Sequence, residues 1–228
     1  MEKTNENTAP VTFSESLVNF IQRNRKTLVV FTFTVLGLIA IVAVAVSVID
    51  MNRINTIEKV ENYVVRYDEA RSIEDEAKKT SAMATLTDEL AAFASSNNGY
   101  ASSRAYMTLA SIHADMKDWP AAETAWVAAA AKLPKSYLAP VALYNAATAA
   151  EERGDTDKAL SLYNRCVAEF GKSFPLAPRV YLAIGRIHEE KNDPAAASDA
   201  YKKIVELWPF DNWTKLANSR ILSLANKK

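Results

Sequence analysis

The chain has 228 residues, room for one domain of ordinary size plus an anchor, and its 27 basic residues balance 27 acidic ones. That balance argues against a nucleic-acid binder, which needs a clustered basic face. Five glycines against abundant alanine favour helices over strands, and a single cysteine, Cys166, cannot close an intramolecular disulfide.

In chain order, residues 1–26 read as a short tail. Thr27 to Ile49 is then a run of 23 residues without a charge. At about 1.5 Å per residue, such a helix spans roughly 35 Å, enough for a bilayer core of about 30 Å. The competing reading is a cleaved signal peptide with Ala45 and Ser47 as small cleavage residues, although its apolar stretch is normally about 7–15 residues. Arg23, Arg25 and Lys26 crowd the N-terminal flank, whereas Asp50 follows the run with Arg53 and Lys59 nearby. The excess favours an N-terminus in the cytoplasm and translocation of everything after residue 50. Ala43 and Ser47 form a small-xxx-small pair, a feature of helices that pair in membranes.

Residues 50–99 suggest a membrane-proximal helical hairpin. Ile54, Ile57, Val60, Val64 and Tyr67 mark one helical stripe, and Met83, Leu86, Leu90 and Phe93 mark another. Ser95-Ser-Asn-Asn-Gly99 breaks the pattern.

From residue 100 onwards the chain repeats itself. Pro134-Lys-Ser-Tyr-Leu-Ala-Pro140 recurs as Gly171-Lys-Ser-Phe-Pro-Leu-Ala-Pro178, each ending in a proline suited to the first turn of a helix. The helices that follow align as Tyr106-x-x-Leu109-Ala110, Leu143-x-x-Ala146-Ala147 and Tyr181-x-x-Ile184-Gly185. Each then reaches a polar turn: Lys117-Asp118, Gly154-Asp155 and Asn192-Asp193. The aspartates stand where an N-cap belongs, and Pro194 fits the first helical position. The second helices carry Ala122, Ala159 and Ala197, one turn before Trp126, Tyr163 and Tyr201, with Ala129, Cys166 and Ile204 next. Pro134 and Pro209 close the first and third units. An amphipathic segment, Trp213, Leu216, Ile221, Leu222 and Leu224, could cap the open end.

Over residues 103–209 these positions resemble the tetratricopeptide repeat: a large apolar residue, a Leu-Gly-like pair, Ala, an aromatic, Ala and a closing Pro on two antiparallel helices. Units recur every 37 and 38 residues, against about 34 in the family. The middle unit departs from the pattern, with Ala147 for Gly and Gly171 for the closing Pro. The expected fold is all-α: one N-terminal transmembrane helix at 27–49, the hairpin at 50–99, and a repeat solenoid with its capping helix at 100–228.

Catalytic and metal chemistry find little support. Gly171-Lys172-Ser173 resembles the end of a phosphate-binding loop, but Cys166 stands where another glycine is needed and a helix, not a strand, precedes it. His113 and His188 share a repeat position and have no ligands at metal spacing, so packing between helices explains them better. Cys166 occupies the place of a small buried residue. Glu151-Glu152 and Glu189-Glu190 read as a solvated or groove-lining face. No enzyme activity and no cofactor are expected.

In the resembled family the first helix of each unit lines a concave groove. That register implies Arg104, Met107, Ser111 and Asp115 from the first unit, and Val141, Tyr144, Thr148 and Glu152 from the second. The third supplies Arg179, Leu182, Arg186 and Glu190. This amphipathic mixture suits a helix or an extended peptide. The carboxylate-clamp subclass places Lys and Asn at fixed groove positions; those hold Met107, Ser111, Tyr144, Thr148, Leu182 and Arg186 here, and only Asn145 and Arg186 resemble clamp chemistry, so no clamp is expected. A short tail, one anchor and a translocated repeat domain resemble the ancillary subunit of the bacterial Sec translocon. The resemblance implies the inner membrane, a periplasmic repeat domain, and translocon subunits or periplasmic chaperones as partners. The alternative is a structural scaffold of an envelope or cell-division complex, self-association included.

Overall fold

A computed structural model describes residues 12–226. Residues 1–11 of the expected tail, and Lys227 and Lys228, lie outside them. The described residues form ten α-helices and no strand. They divide into two compact units at Asn55/Thr56.

The first unit contains α1 (Phe13–Arg23) and the start of α2 (Arg25–Arg71). A capping box opens α1: the Glu15 amide donates to the Thr12 hydroxyl, and the Thr12 amide donates to the Glu15 carboxylate. The Thr12 amide holds the Glu15 carboxyl below its usual pKa. α2 continues through Asp50 and ends at Arg71, so the expected element boundary at residue 49 is not a helix end. No glycine or proline occurs between Gly37 and Gly99 to interrupt it. By length and composition α2 could cross a membrane, and its apolar window is unburied.

The second unit is a stack of helix pairs. From Thr56 onward α2 pairs with α3 (Glu76–Ser96); then come α4 (Gly99–Asp115) with α5 (Trp119–Lys132), α6 (Leu138–Glu152) with α7 (Thr156–Phe170), and α8 (Ala177–Glu190) with α9 (Pro194–Leu207). α10 (Asn212–Ala225) ends it. The stripe on α2 that packs is Val60, Tyr63, Tyr67 and Ala70, while Ile54 is exposed. Tyr63 meets Phe93 of α3 edge-on at 5.3 Å, and Arg66 grips Glu89 with both guanidinium nitrogens. α10 buries Thr214, Ala217 and Leu224. Leu216 and Leu222, expected on the packed stripe, are exposed. The small Ala217, fully buried, is where α10 makes its close approach.

The three turns inside the repeat pairs share one geometry. Lys117, Gly154 and Asn192 have φ of 59°, 82° and 57°, and the aspartate after each caps the next helix. Asp118 accepts from the Ala121 amide at 3.3 Å, Asp155 from Lys158 at 3.0 Å and Asp193 from Ala196 at 3.0 Å. Lysine in the left-handed region is strained, by roughly 1–2 kcal/mol. Lys117→Gly should therefore stabilise the domain by up to about 1 kcal/mol, after the extra entropy of an unfolded glycine is deducted. Denaturant unfolding measures it; an unchanged midpoint would show that the turn is already relaxed.

Small residues set how closely the helices approach. Ala122, Ala159 and Ala197 are fully buried, as are Ala129, Cys166 and Ile204 two turns later. Cys166 donates weakly to the Pro140 carbonyl at 3.5 Å, and burial pushes its thiol pKa up to about 12. It is a packing residue, not a nucleophile.

Candidate partner-binding face

The even-numbered helices lie side by side in one layer, and polar side chains bridge α2 to α4, α6 to α8 and α8 to α10. Between α2 and α4, Tyr67 donates to Asp115 at 2.8 Å and Arg71 pairs with it at 3.1 Å. In the same groove, Tyr100 donates to Glu61 at 2.8 Å, with Arg104 3.4 Å from that carboxylate. Burial first, and then the Asp115 bond, raise the Tyr67 pKa. α2 thus occupies the place of a first helix in a further pair, ahead of the three repeats read from sequence.

The α6–α8 and α8–α10 junctions share a relay of tyrosine, glutamate and arginine. Tyr163 of α7 donates to Glu151 of α6 at 2.7 Å, and Glu151 pairs with Arg186 of α8. Tyr201 of α9 donates to Glu189 of α8 at 2.6 Å, and Arg220 of α10 grips Glu189 at 2.9 and 2.7 Å. Burial pushes the Tyr201 hydroxyl up to about 12, and Glu189 beside it adds to the shift. These bonds divide the paired acids. Glu151 and Glu189 tie adjacent units together, while Glu152 and Glu190 are exposed.

The register-derived groove residues therefore fall into different classes. Met107 is buried in the core, only 8 % exposed, and is not available to a partner. Arg104 and Asp115 are engaged by α2, and the Ser111 hydroxyl donates to the Met107 carbonyl. Thr148 donates to the Tyr144 carbonyl at 3.1 Å and lies 3.2 Å from the Tyr163 hydroxyl. Arg186 is shared between Glu151 and Glu190. A helix that would otherwise stand open at residue 104 is covered by α2, and this coverage is invisible to repeat register.

Tyr144, Arg179 and Leu182 stay together on the layer. Arg179 is exposed, and its guanidinium stands 5.5 Å from the Tyr144 ring centre and 5.8 Å from that of Trp213. This bridge links α6, α8 and α10. Trp213 was expected only in a capping stripe; its part in the bridge depends on three-dimensional stacking. Leu182 is half-buried, and with Arg186, Leu216 and Arg220 it borders a shallow depression above Tyr201. Val141 is half-buried and Glu152 exposed. Stacking on two rings orients the Arg179 guanidinium and leaves its N–H edge for an acceptor.

His113 and His188 both lie between helices beside the capping aspartates, with Nδ1 3.6 Å from Asp118 and 4.0 Å from Asp193. Among the described residues no group of three or more His, Cys, Asp or Glu is placed to hold a metal ion. Gly171 closes α7 with φ 46°, and Gly171–Ser173 forms a 3-10 turn after that helix. A phosphate-binding loop would need a preceding strand instead.

A model of the tetratricopeptide repeat matches residues 107–173 and again residues 144–212. Over 128 residues the chain is 36% identical to a "TPR repeat-containing protein" of Treponema pallidum (strain Nichols), a match covering 56% of this chain and 53% of that protein. The chain thus spans about half the length of this curated relative. A solved tetratricopeptide repeat protein from Parabacteroides merdae ATCC 43184 is similar in fold, with a TM-score of 0.52 and 17% identity over 73% of this chain and 61% of that one. Residues 107–212 thus match the tetratricopeptide-repeat model, and the chain shares the helical-solenoid fold of the solved repeat protein.

Proposed function

We propose that the protein is a membrane-anchored scaffold that captures other proteins on the layer formed by α4, α6, α8 and α10. The observation that carries this reading is Arg179, exposed and oriented between Tyr144 and Trp213. Arg, Tyr and Trp are the residue types enriched where binding energy concentrates. An anchored scaffold of this form suits an ancillary role beside the translocon, or contact with envelope chaperones. A scaffold within an envelope or cell-division complex is the second reading, supported by the small-xxx-small pair Ala43 and Ser47 in the apolar segment.

The anchor reading rests on the uncharged run 27–49 and on Arg23, Arg25 and Lys26 before it. It assigns the N-terminus to the cytoplasm and the repeats to the periplasm of a bacterial inner membrane. Protease added to spheroplasts should digest the repeat domain; digestion only after lysis would reverse the orientation.

Partner capture is tested by crosslinking in cells followed by mass spectrometry. Arg179→Glu should reduce recovered partners about tenfold or more, since a bidentate charged contact becomes a repulsive one. Folding should survive, because an exposed side chain seldom contributes more than about 0.5 kcal/mol. Lys202→Glu on α9 controls for net charge. Arg186→Glu is an unsuitable probe, since it would place a third carboxylate beside Glu151 and Glu190. Equal partner recovery from Arg179→Glu and the unaltered protein would move binding off this face. Translocon subunits among the partners favour the first reading, and wall enzymes favour the second.

A further inference from the structure

We infer that α1 is an interfacial helix, lying in the headgroup layer of an anionic membrane on the N-terminal side of the span. This inference rests on the reading of residues 27–49 as a membrane anchor. α1 has no buried residue. Phe13, Leu17, Phe20 and Ile21 are exposed by 84, 48, 56 and 48 %. At about 100° per residue these four side chains share an arc roughly 100° wide. Val18 extends the arc, and Glu15, Ser16, Asn19, Gln22 and Arg23 occupy the remainder.

Both ends of the helix are capped by its own side chains. Thr12 and Glu15 cap its start, and the Asn24 side-chain amide donates to the Phe20 carbonyl at 2.9 Å at its end. Asn24, at φ −105° and ψ 11°, departs from helical values and makes a joint between α1 and α2. Three features identify what covers the apolar arc. The uncharged run begins at Thr27, so the headgroup layer is the surface nearest the joint. Arg23, Arg25 and Lys26 sit at that joint, where an anionic leaflet attracts each of the three cations. The helix pairs an apolar face with a polar one, the composition of helices that lie in the interface and do not span.

The test uses the full chain with Cys166→Ala, reconstituted in vesicles of phosphatidylethanolamine and phosphatidylglycerol. Spin labels are placed singly through Leu17→Cys, Phe20→Cys, Asn19→Cys and Gln22→Cys, with Ile39→Cys as the reference inside the span. The ratio of oxygen to nickel-chelate collision rates should be several-fold higher at 17 and 20 than at 19 and 22. It should be highest at 39. Water-like values at all four α1 positions, with the 39 label deep in lipid, would overturn the interfacial helix and leave the anchor standing. A water-exposed 39 label would overturn the anchor and this inference together. Low collision rates with both reagents at 17 and 20 would indicate a protein neighbour, a second α1 included, in place of lipid.

Discussion

Gly185→Ala should destabilise the repeat domain by about 1–3 kcal/mol, the range for overpacking a well-filled core. A Cβ at Gly185 would lie under 3.0 Å from three ring atoms of Tyr201. The ring is not the free end of a flexible chain. It is 1 % exposed, and its hydroxyl is fixed to Glu189 at 2.6 Å. Replacing glycine by alanine inside a helix would otherwise gain about 1 kcal/mol, so the expected sign is set by the clash and not by propensity. A double-mutant cycle separates the two terms. In a Tyr201→Ala background the added methyl should cost nothing or stabilise, whereas in Tyr201→Phe, which retains the ring, the cost should persist. Equal costs in all three backgrounds would show that α8 and α9 are not held apart by this contact.

The same junction explains what was legible in the sequence and what was not. The alignment of Leu109-Ala110, Ala146-Ala147 and Ile184-Gly185 needed only spacing, because a helix contact fixes the size of a side chain whatever surrounds it. The N-capping aspartates were legible for a similar reason: the cap is a local bond to the third residue on. At Ala147 the sequence shows that a methyl is accepted, and the residue is fully buried. In the middle unit the corresponding tyrosine, Tyr163, tilts against Tyr144 at 5.8 Å, with its hydroxyl held by Glu151.

The bridges between units were not legible, since they join residues on different helix pairs, far apart in the chain. Glu151 to Arg186 and Glu189 to Arg220 cross 35 and 31 positions, and the glutamates read equally well as solvated helix ends. Met107 is the clearest displacement on the binding face. Register alone places it in a groove, but the pairing of α2 with α3 extends the stack and changes what α4 leaves exposed. The hydrophobic stripe of α2 departs from the expected one at Ile54, where residues 51–55 are all exposed, and at Val64, which is half-buried beside the buried Tyr63. The residues that turn inward are then set by contacts with α3 and α4, through Tyr63 and Tyr67.

Deleting residues 212–228, and with them α10, should cost about 3–6 kcal/mol and should loosen the end of the stack first. Ala197, Tyr201 and Ile204 form their buried cluster with Ala217 and Leu224 of α10, apart from the larger core. Burial of a large apolar side chain is worth about 1.5–3 kcal/mol, and the deletion uncovers two, Tyr201 and Ile204. Arg220 is lost as well, which leaves Glu189 with the Tyr201 hydroxyl but without its bidentate partner. Repeats interact mainly with their neighbours, so the damage should spread unevenly. Amide exchange should quicken by orders of magnitude in α8 and α9 and remain near its original rate in α4 and α5. Arg220→Ala alone should cost less, because its side chain is partly solvated. Uniform loss of protection from α3 to α9 would show a single cooperative block, and an unchanged exchange pattern would show that α10 is not the cap of the solenoid.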